Sequence, residues 1–465
     1  MATWFLWHCL LHKLLAYAPA FSHGGSPCVA RTFLSTIWQS DRTTCGLKLQ
    51  QIAEIIRAIH HFDYFFSQGR LLTVPNELIL NLHPMKVALV TDGIWPYVLG
   101  GMQKHSFYLC KYLAAKGVNI DLIHFNQSNY DIKKLEVFTE EEKRYINSVI
   151  IDFPESKKWP GHYVIASYLH SKKIFDYLNK QLNEYDFIYT KGFTGWYLLK
   201  QKNLGRIKCC PVGVKFHGYE MFQKQPDFLT ALKSMLLLRH PVIKINKMAD
   251  VVFSYGGKIT GIIESIGVPQ NKIIEIPSGV EENTVSETIT ENTSKPIRFL
   301  YLGRYERRKG IEELNEAIHF LLNGNIEFEF HFIGPIPEEK KISHKQIVYH
   351  GEIRDKTVLN SKIRQCDVLV CPSYSEGFPN VILEAMSNGL TVAATPVGAV
   401  ELLVNKNTGW IIEESNAKTV QHVLENILVS KREDIFNKKT AALQLIKKQF
   451  TWNIIIEKLL QFIRK

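Results

Sequence analysis

Two glutamates, Glu376 and Glu384, frame the stretch Glu376-Gly377-Phe378-Pro379-Asn380-Val381-Ile382-Leu383-Glu384. Pro379 suits the first turn of a helix, so Gly377 and Phe378 place free backbone N–H groups at the positive end of that helix. Such an end binds phosphate. Glu384, further into the helix, can accept hydrogen bonds from two neighbouring ribose hydroxyls, and Glu376, on the loop before it, can face a second set of hydroxyls. An ordinary capped helix with surface glutamates has the same pattern, so the stretch alone leaves both readings open. Upstream, Gly303-Arg304-Tyr305-Glu306-Arg307-Arg308-Lys309-Gly310 directly follows the apolar run Phe299-Leu300-Tyr301-Leu302. A guanidinium and an ammonium at the mouth of such a strand-to-helix loop, here Arg304 and Lys309, can neutralise a diphosphate and stabilise it as a leaving group. Arginine grips oxygens by its fork and lysine supplies a point charge. A solvated basic loop is the plainer alternative.

The elements that must position these residues are legible in the hydrophobic pattern. At Met85 the texture changes: Lys86 to Thr91 is a short apolar run ending in Asp92-Gly93, which suits a buried parallel strand. A Gly100-Gly101 loop then leads into a helix with Leu109, Cys110, Leu113 and Ala114 on one face, closed by Gly117. Further strands are expected at Val118–Phe125, Asp186–Thr190, Val212–Phe216, Val251–Ser254 and Ile273–Ile276, with helical segments between most of them. Residues Glu281 to Pro296 are rich in Thr, Asn, Ser and Glu and read as a linker. The rhythm restarts with a strand at Ile297–Leu302, a helix at Ile311–Leu322, and strands at Glu327–Ile333, Val368–Cys371 and Thr391–Ala394.

Strands alternating with helices predict an α/β fold of two doubly wound, Rossmann-like domains facing a cleft, with ligands at the carboxyl ends of the strands. The expected boundaries are residues 85–285 for the first domain, 286–296 for the linker, 297–445 for the second domain, and 446–465 for a terminal helix. Residues 1–84 lack the β/α rhythm and form an extension of unassigned fold. The abrupt change at Met85 suggests that the folded unit, and translation, start there.

Composition narrows the function classes. In 465 residues, 46% hydrophobic and 22% charged, the Gly and Pro are spread along the chain, which excludes collagen-like, coiled-coil and wholly disordered readings. The eight cysteines form no CxxC pair, so neither a disulfide scaffold nor a zinc site is indicated, and reduced, cytoplasmic thiols are expected. No run of 18 apolar residues supports a transmembrane helix, and Trp4 to Phe21 lacks the basic start of a signal peptide. The net charge of +11 points to nucleic acid, anionic lipid or phosphorylated substrates. Lys200 to Lys247 holds ten basic residues against two acidic ones, either solvated helix faces or a surface that sits on anionic lipid. No groove-reading or aromatic-interleaved motif accompanies the charge, so no nucleic-acid partner is expected.

From Met85 onward the chain resembles the family 4 retaining glycosyltransferases of GT-B fold. The pieces that carry the likeness are Gly100-Gly101, Phe216-His217-Gly218-Tyr219-Glu220, Gly303-Arg304 with Lys309-Gly310, the Glu376/Glu384 pair, Thr395-Pro396-Val397-Gly398-Ala399-Val400-Glu401, and Phe450-Thr451-Trp452 in the final helix. Gly398-Ala399 stands where many members carry Gly-Gly, and Leu390-Thr391 where a Pro often precedes the strand.

The resemblance implies transfer of a hexose-type sugar from a nucleoside-diphosphate sugar to a glycan or lipid-linked acceptor, with retained anomeric configuration. It assigns Arg304 and Lys309 to the diphosphate, Glu384 to the ribose and Glu376 to the donor sugar. Gly303, Gly377 and Phe378 belong to the same donor site, and Gly100 and Gly101 let backbone approach the donor phosphates. Backbone near His350-Gly351-Glu352-Ile353 would meet the base, and the last helix would cross back onto the first domain. Within the matching motif, His217 becomes the catalytic contact of the first domain, with Glu220 as its support. No nucleophilic carboxylate faces the acceptor, so a front-face route is implied, in which the departing diphosphate helps deprotonate the acceptor hydroxyl. No Asp-x-Asp occurs, so neither a metal nor any other cofactor is expected. Cell-surface polysaccharide or lipopolysaccharide synthesis is the implied setting, in the cytoplasm and peripherally on the inner face of the membrane. Two rivals keep their tests: a phosphorylase of similar fold, for whose lysine-bound pyridoxal phosphate no motif is present, and a non-catalytic sugar-nucleotide or membrane-surface binding module with degraded motifs.

Overall fold

The computed structural model describes residues 85–98, 100–125, 137–154, 161–289, 296–324 and 326–465. The expected extension at residues 1–84 and the stretch 290–295 of the expected linker lie outside the described residues.

Lys86-Val87-Ala88-Leu89-Val90 forms β1 (Lys86–Val90), and its last four residues are all buried. Burial on both faces is what a continuous apolar run requires, and it seats β1 in the middle of a parallel sheet. Around it run β2 (Asn119–His124), β3 (Ile146–Ile150), β4 (Phe187–Lys191), β5 (Val212–Lys215), β6 (Val251–Ser254) and β7 (Ile273–Glu275). The order β3-β2-β1-β4-β5-β6-β7 is parallel throughout. A second parallel sheet holds β8 (Ile297–Leu302), β9 (Phe328–Ile333), β10 (Ile347–Tyr349), β11 (Val368–Cys371), β12 (Thr391–Ala394) and β13 (Gly409–Ile411), in the order β10-β9-β8-β11-β12-β13. In each sheet the winding reverses once, between β1 and β4 and between β8 and β11. Those are the switch points where a doubly wound sheet leaves a crevice beyond its strand ends.

The expected strands and the helix Ile311–Leu322 fall within two residues of the observed ones. β3 and β13 were not anticipated. Ile146-Asn147-Ser148-Val149-Ile150 sits at a sheet edge with one buried residue, and Gly409-Trp410-Ile411 is three residues long, so neither shows an apolar run. The helix after Gly100 spans Gly101–Ala115 and ends as the sequence predicts. Gly117, at φ +75°, donates its N–H to Ala114 O at 2.9 Å, and Val118 N–H reaches Leu113 O at 3.2 Å.

The last helix, Trp452–Ile463, belongs to the core of the first sheet. Trp452, Ile455, Ile456, Leu459 and Leu460 bury among Val87, Leu89, Phe107 and Phe253. Val280 and Thr451 pair where the chain passes between the halves: Val280 N–H donates to Phe450 O at 2.9 Å, and Trp452 N–H donates to Val280 O at 3.0 Å.

The residues expected to open a loose linker are a charged hub. Glu281 accepts from Tyr108 Oη at 2.9 Å, Lys111 Nζ at 2.8 Å and, across the cleft, Lys356 Nζ at 2.8 Å. Burial alone would raise its carboxyl; Lys111 and Lys356 outweigh that and bring it down to about 2. Glu282 accepts from Tyr112 Oη at 2.9 Å and Asn453 N at 3.0 Å. A polar composition misled here because the acidic residues are paired and partly buried, not solvated.

Candidate active site

Two loops of the second sheet build one half of the site. After β8, residues Arg307–Lys309 make a single tight turn, closed by Gly310 at φ +68°, and the helix Ile311–Leu322 follows. A Cβ on Gly310 would lie 2.0 Å from Pro372 O, so only glycine lets this turn press against the loop after β11. Pressed there, Lys309 Nζ donates to Glu376 Oε1 at 2.6 Å. Arg308 donates through Nη1 to Ser375 O at 2.8 Å and stands 3.7 Å from Glu376 Oε2. Ser373 Oγ donates to Glu376 Oε1 at 2.8 Å. The Glu376 side chain is 7% exposed. Burial by itself would raise its carboxyl; Lys309, Arg308 and the Ser373 hydrogen bond outweigh burial and hold it below the ordinary range.

Arg304 is not in this cluster. Its side chain is 74% exposed and pairs with Glu306 Oε1 at 2.7 Å. The sequence reading put Arg304 beside Lys309, whereas the guanidinium that reaches Glu376 belongs to Arg308. The reason is geometric: Gly303, at φ +154°, hands the chain outward, and the turn brings Arg308 back against Tyr374, whose N–H donates to Arg308 O at 2.9 Å. The His350–Ile353 turn lies at the same sheet end. Gly334 N–H donates to Gly351 O at 2.8 Å, while a Cβ on Gly334 would lie 2.0 Å from Gly303 O.

The helix after Glu376 spans Asn380–Ser387, with Pro379 as its cap at φ −79° and ψ 94°. Pro379 therefore precedes the first turn instead of sitting in it. Phe378 is a packing residue, its ring 5.4 Å from Tyr255 and 6.0 Å from Phe450. Gly377 presses the second half against the first, since a Cβ there would fall 1.6 Å from His217 O. Gln223, also from the first half, donates from Nε2 to Glu376 O at 2.8 Å.

The helix Gly101–Ala115 enters from the opposite side. A Cβ on Gly101 would lie 3.4 Å from Asn380 Nδ2, so the N-termini of two helices meet, one from each half. Two positive helix ends converging on one spot favour an anion there. Gly100, at φ +157°, opens the first of them. Lys104, one turn in, pairs with Glu384 Oε1 across the cleft.

His217 closes the other side. It follows β5, is half-buried, and its Nδ1 lies 2.5 Å from Tyr255 Oη. Burial, Lys191 and Lys215 all lower its pKa well below the usual imidazole value, so it is neutral. Glu220 does not support it. The Glu220 carboxylate folds over Gly218, where a Cβ would lie 2.1 Å from Oε1, and its charge helps keep Arg308 protonated against the cost of burial.

Sequence reasoning missed Arg308, Lys104, Tyr255, Lys191 and Lys215. Arg308 sat in an Arg-Arg-Lys triplet and Lys104 a few residues past Gly100-Gly101, so both had a signal. Lys215 was counted as surface charge, yet Lys191 and Lys215 are fully buried at the ends of β4 and β5. Lys191 Nζ donates to Ser106 Oγ at 2.8 Å and touches His105 Nδ1 at 2.8 Å. Among the described residues no three His, Cys, Asp or Glu side chains gather as a metal site.

Residues 296–429 match the family model described as glycosyl transferases group 1. An uncharacterized glycosyltransferase of Methanocaldococcus jannaschii is 26% identical over 74% of this chain and 88% of its own length. An N-acetylgalactosaminyltransferase of Campylobacter jejuni, named for N,N'-diacetylbacillosaminyl-diphospho-undecaprenol, is 25% identical over 43% of this chain and 53% of its own. Among solved structures, sucrose-phosphate synthase from Thermosynechococcus elongatus superposes with a TM-score of 0.64 at 18% identity, over 82% of this chain and 98% of that one. Both sheets and the returning helix are thus those of the GT-B fold, and residues 296–429 carry the likeness to the glycosyl transferases group 1.

Proposed function

We propose that the protein is a retaining glycosyltransferase that moves a hexose-type sugar from a nucleoside-diphosphate sugar to a glycan or lipid-linked acceptor in cell-surface polysaccharide synthesis. The observation that carries this reading is the meeting of two helix N-termini at Gly101 and Asn380, flanked by Lys309, Arg308 and the carboxylates of Glu376 and Glu384. A diphosphate suits the helix ends and cations, and ribose hydroxyls suit Glu384 once Lys104 turns to the phosphates. Glu376 then faces the donor sugar, and Arg304 is long and exposed enough to swing onto the diphosphate. The acceptor proton passes to an oxygen of the departing diphosphate, whose charge Lys309 and the helix ends hold. On this reading turnover needs no divalent metal and persists in a chelator.

Calorimetric titration with nucleoside diphosphates and nucleotide sugars tests the donor site. One nucleotide should bind with micromolar affinity, and Glu384→Ala should weaken it at least about tenfold, the loss of a charged hydrogen-bonding partner. A folded protein that binds none overturns the site; one that binds a nucleotide sugar but turns over no acceptor favours the non-catalytic binding module.

The acceptor's source is proposed from a different face. On the helix Phe228–Met248 the side chains of Phe228, Leu229 and Leu236 are 77%, 65% and 67% exposed, and Lys233 lies in the same turns. Exposed apolar residues with a cation among them suit the interface of an anionic bilayer, the cytoplasmic leaflet included. The Campylobacter relative, named for a diphospho-undecaprenol substrate, agrees with such a placement. The protein should co-sediment with vesicles containing phosphatidylglycerol at low salt, and Phe228→Glu with Leu236→Glu should abolish this. Equal sedimentation with neutral vesicles, or none at all, overturns it.

A further inference from the structure

Three consecutive strand ends converge on one imidazole. His217 lies just past β5, and Tyr255 directly follows β6, its hydroxyl 2.5 Å from His217 Nδ1. Lys215, the last residue of β5, sets its amine 3.9 Å from the centre of the Tyr255 ring and is tied to Ile276 O just beyond β7. The phenol is therefore held from its face and fixed at its hydroxyl. Lys215 and Tyr255 are buried and His217 is half-buried.

The direction of the Tyr255–His217 hydrogen bond decides what His217 can do. Burial keeps the Tyr255 phenol protonated, and a buried hydroxyl proton needs an acceptor. Among the described residues the hydrogen-bond partner of Tyr255 Oη is His217 Nδ1. Nδ1 then accepts, and a neutral imidazole has its one proton on Nε2. His217 Nε2 is buried and has no hydrogen-bond partner among the described residues, so an N–H donor stands unused in a residue whose carbonyl the Gly377 loop touches. Burial, Lys191 and Lys215 oppose a second proton on the ring, against whose edge the His105 ring packs at 5.0 Å between centres.

We infer that Tyr255 is a positioning residue that locks His217 as its Nε2–H tautomer, so that His217 serves the transfer as a hydrogen-bond donor to a sugar or phosphate oxygen and not as a base. The inference rests on the transferase reading for its purpose, but the tautomer itself does not.

The test is nitrogen-15 NMR of the histidine side chains, with the His217 signals identified by their loss in His217→Ala. The wild-type protein should show His217 as the Nε2–H tautomer alone, and Tyr255→Phe, which keeps the ring under Lys215, should give a mixture of tautomers. With an acceptor substrate, Tyr255→Phe should lower kcat about tenfold, the worth of one hydrogen bond, and leave nucleotide Kd unchanged. An Nδ1–H tautomer in the wild-type protein, or an unaltered tautomer in Tyr255→Phe, overturns the inference. A mixed tautomer with undiminished kcat overturns its catalytic purpose. Should no transfer be found while Tyr255→Phe still releases the tautomer, the transferase reading fails and the positioning role of Tyr255 stands. The wild-type spectrum decides the tautomer even if Tyr255→Phe does not fold.

Discussion

Glu376→Gln should lower turnover at least about a hundredfold, the usual scale for removing one preorganised electrostatic group from a transition state. The carboxylate is the common partner of Lys309, Arg308 and Ser373, so its charge sets where both cations stand. The amide keeps the shape and can still accept from Ser373, but no longer draws the two cations to one point. Folding should be weakened as well, because breaking a largely buried pair leaves an uncompensated ammonium. The sign with pH follows from the depressed carboxyl. Its stabilisation is complete above the ordinary value of 4.5 and is lost as pH falls through the lower value of the folded state. Melting curves of the two proteins should therefore differ by several degrees at pH 7 and converge in acid. Equal turnover in the two proteins would remove Glu376 from the site; a gap in Tm that widens in acid would contradict the pairing.

His217→Ala should also cost about a hundredfold in turnover, within the range for a positioned donor or proton-transfer group. Nucleotide affinity should change less than about twofold. Gly377 packs against the main-chain carbonyl of residue 217, and alanine keeps that carbonyl. Loss of the imidazole leaves the donor loop seated, so the defect should appear in kcat and not in nucleotide Kd. Because His217 is held neutral, the wild-type pH profile should carry no limb from it near the ordinary imidazole value of 6.5. A variant that binds nucleotide poorly would show that His217 shapes the donor loop and does not serve the transfer step.

The sheets were readable because their central strands are largely apolar, as in Val87–Val90 and Val368–Cys371, and alternate with amphipathic helices such as Ile311–Leu322. The exceptions follow the same physics. β3 at an edge and the very short β13 have little to bury, and so little pattern. Close loop contacts left a mark in the sequence as glycines, as at Gly377 and Gly310, whose missing Cβ atoms let loops touch. Side-chain direction left no such mark. Arg304 and Arg308 are one helical turn apart in a loop of three arginines and a lysine, and sequence cannot say which one turns inward. Lys191 and Lys215 look like ordinary surface charge, yet pairing with Ser106, His105 and the Ile276 carbonyl lets them sit in the core. Glu281 failed for the reverse reason, because its three partners come from distant parts of the chain.

The returning helix has a consequence for how the chain is made. Its residues Trp452 to Leu460 complete the core around β1, which leaves the ribosome hundreds of residues earlier. Until the last turn emerges, the first half displays an apolar scar shaped for a segment not yet synthesised, the kind of surface that chaperones hold and proteases probe. A chain interrupted before Trp452 keeps that scar permanently, whatever the state of its second sheet. Only a chain that includes Trp452 to Leu460 can cover the core of the first sheet.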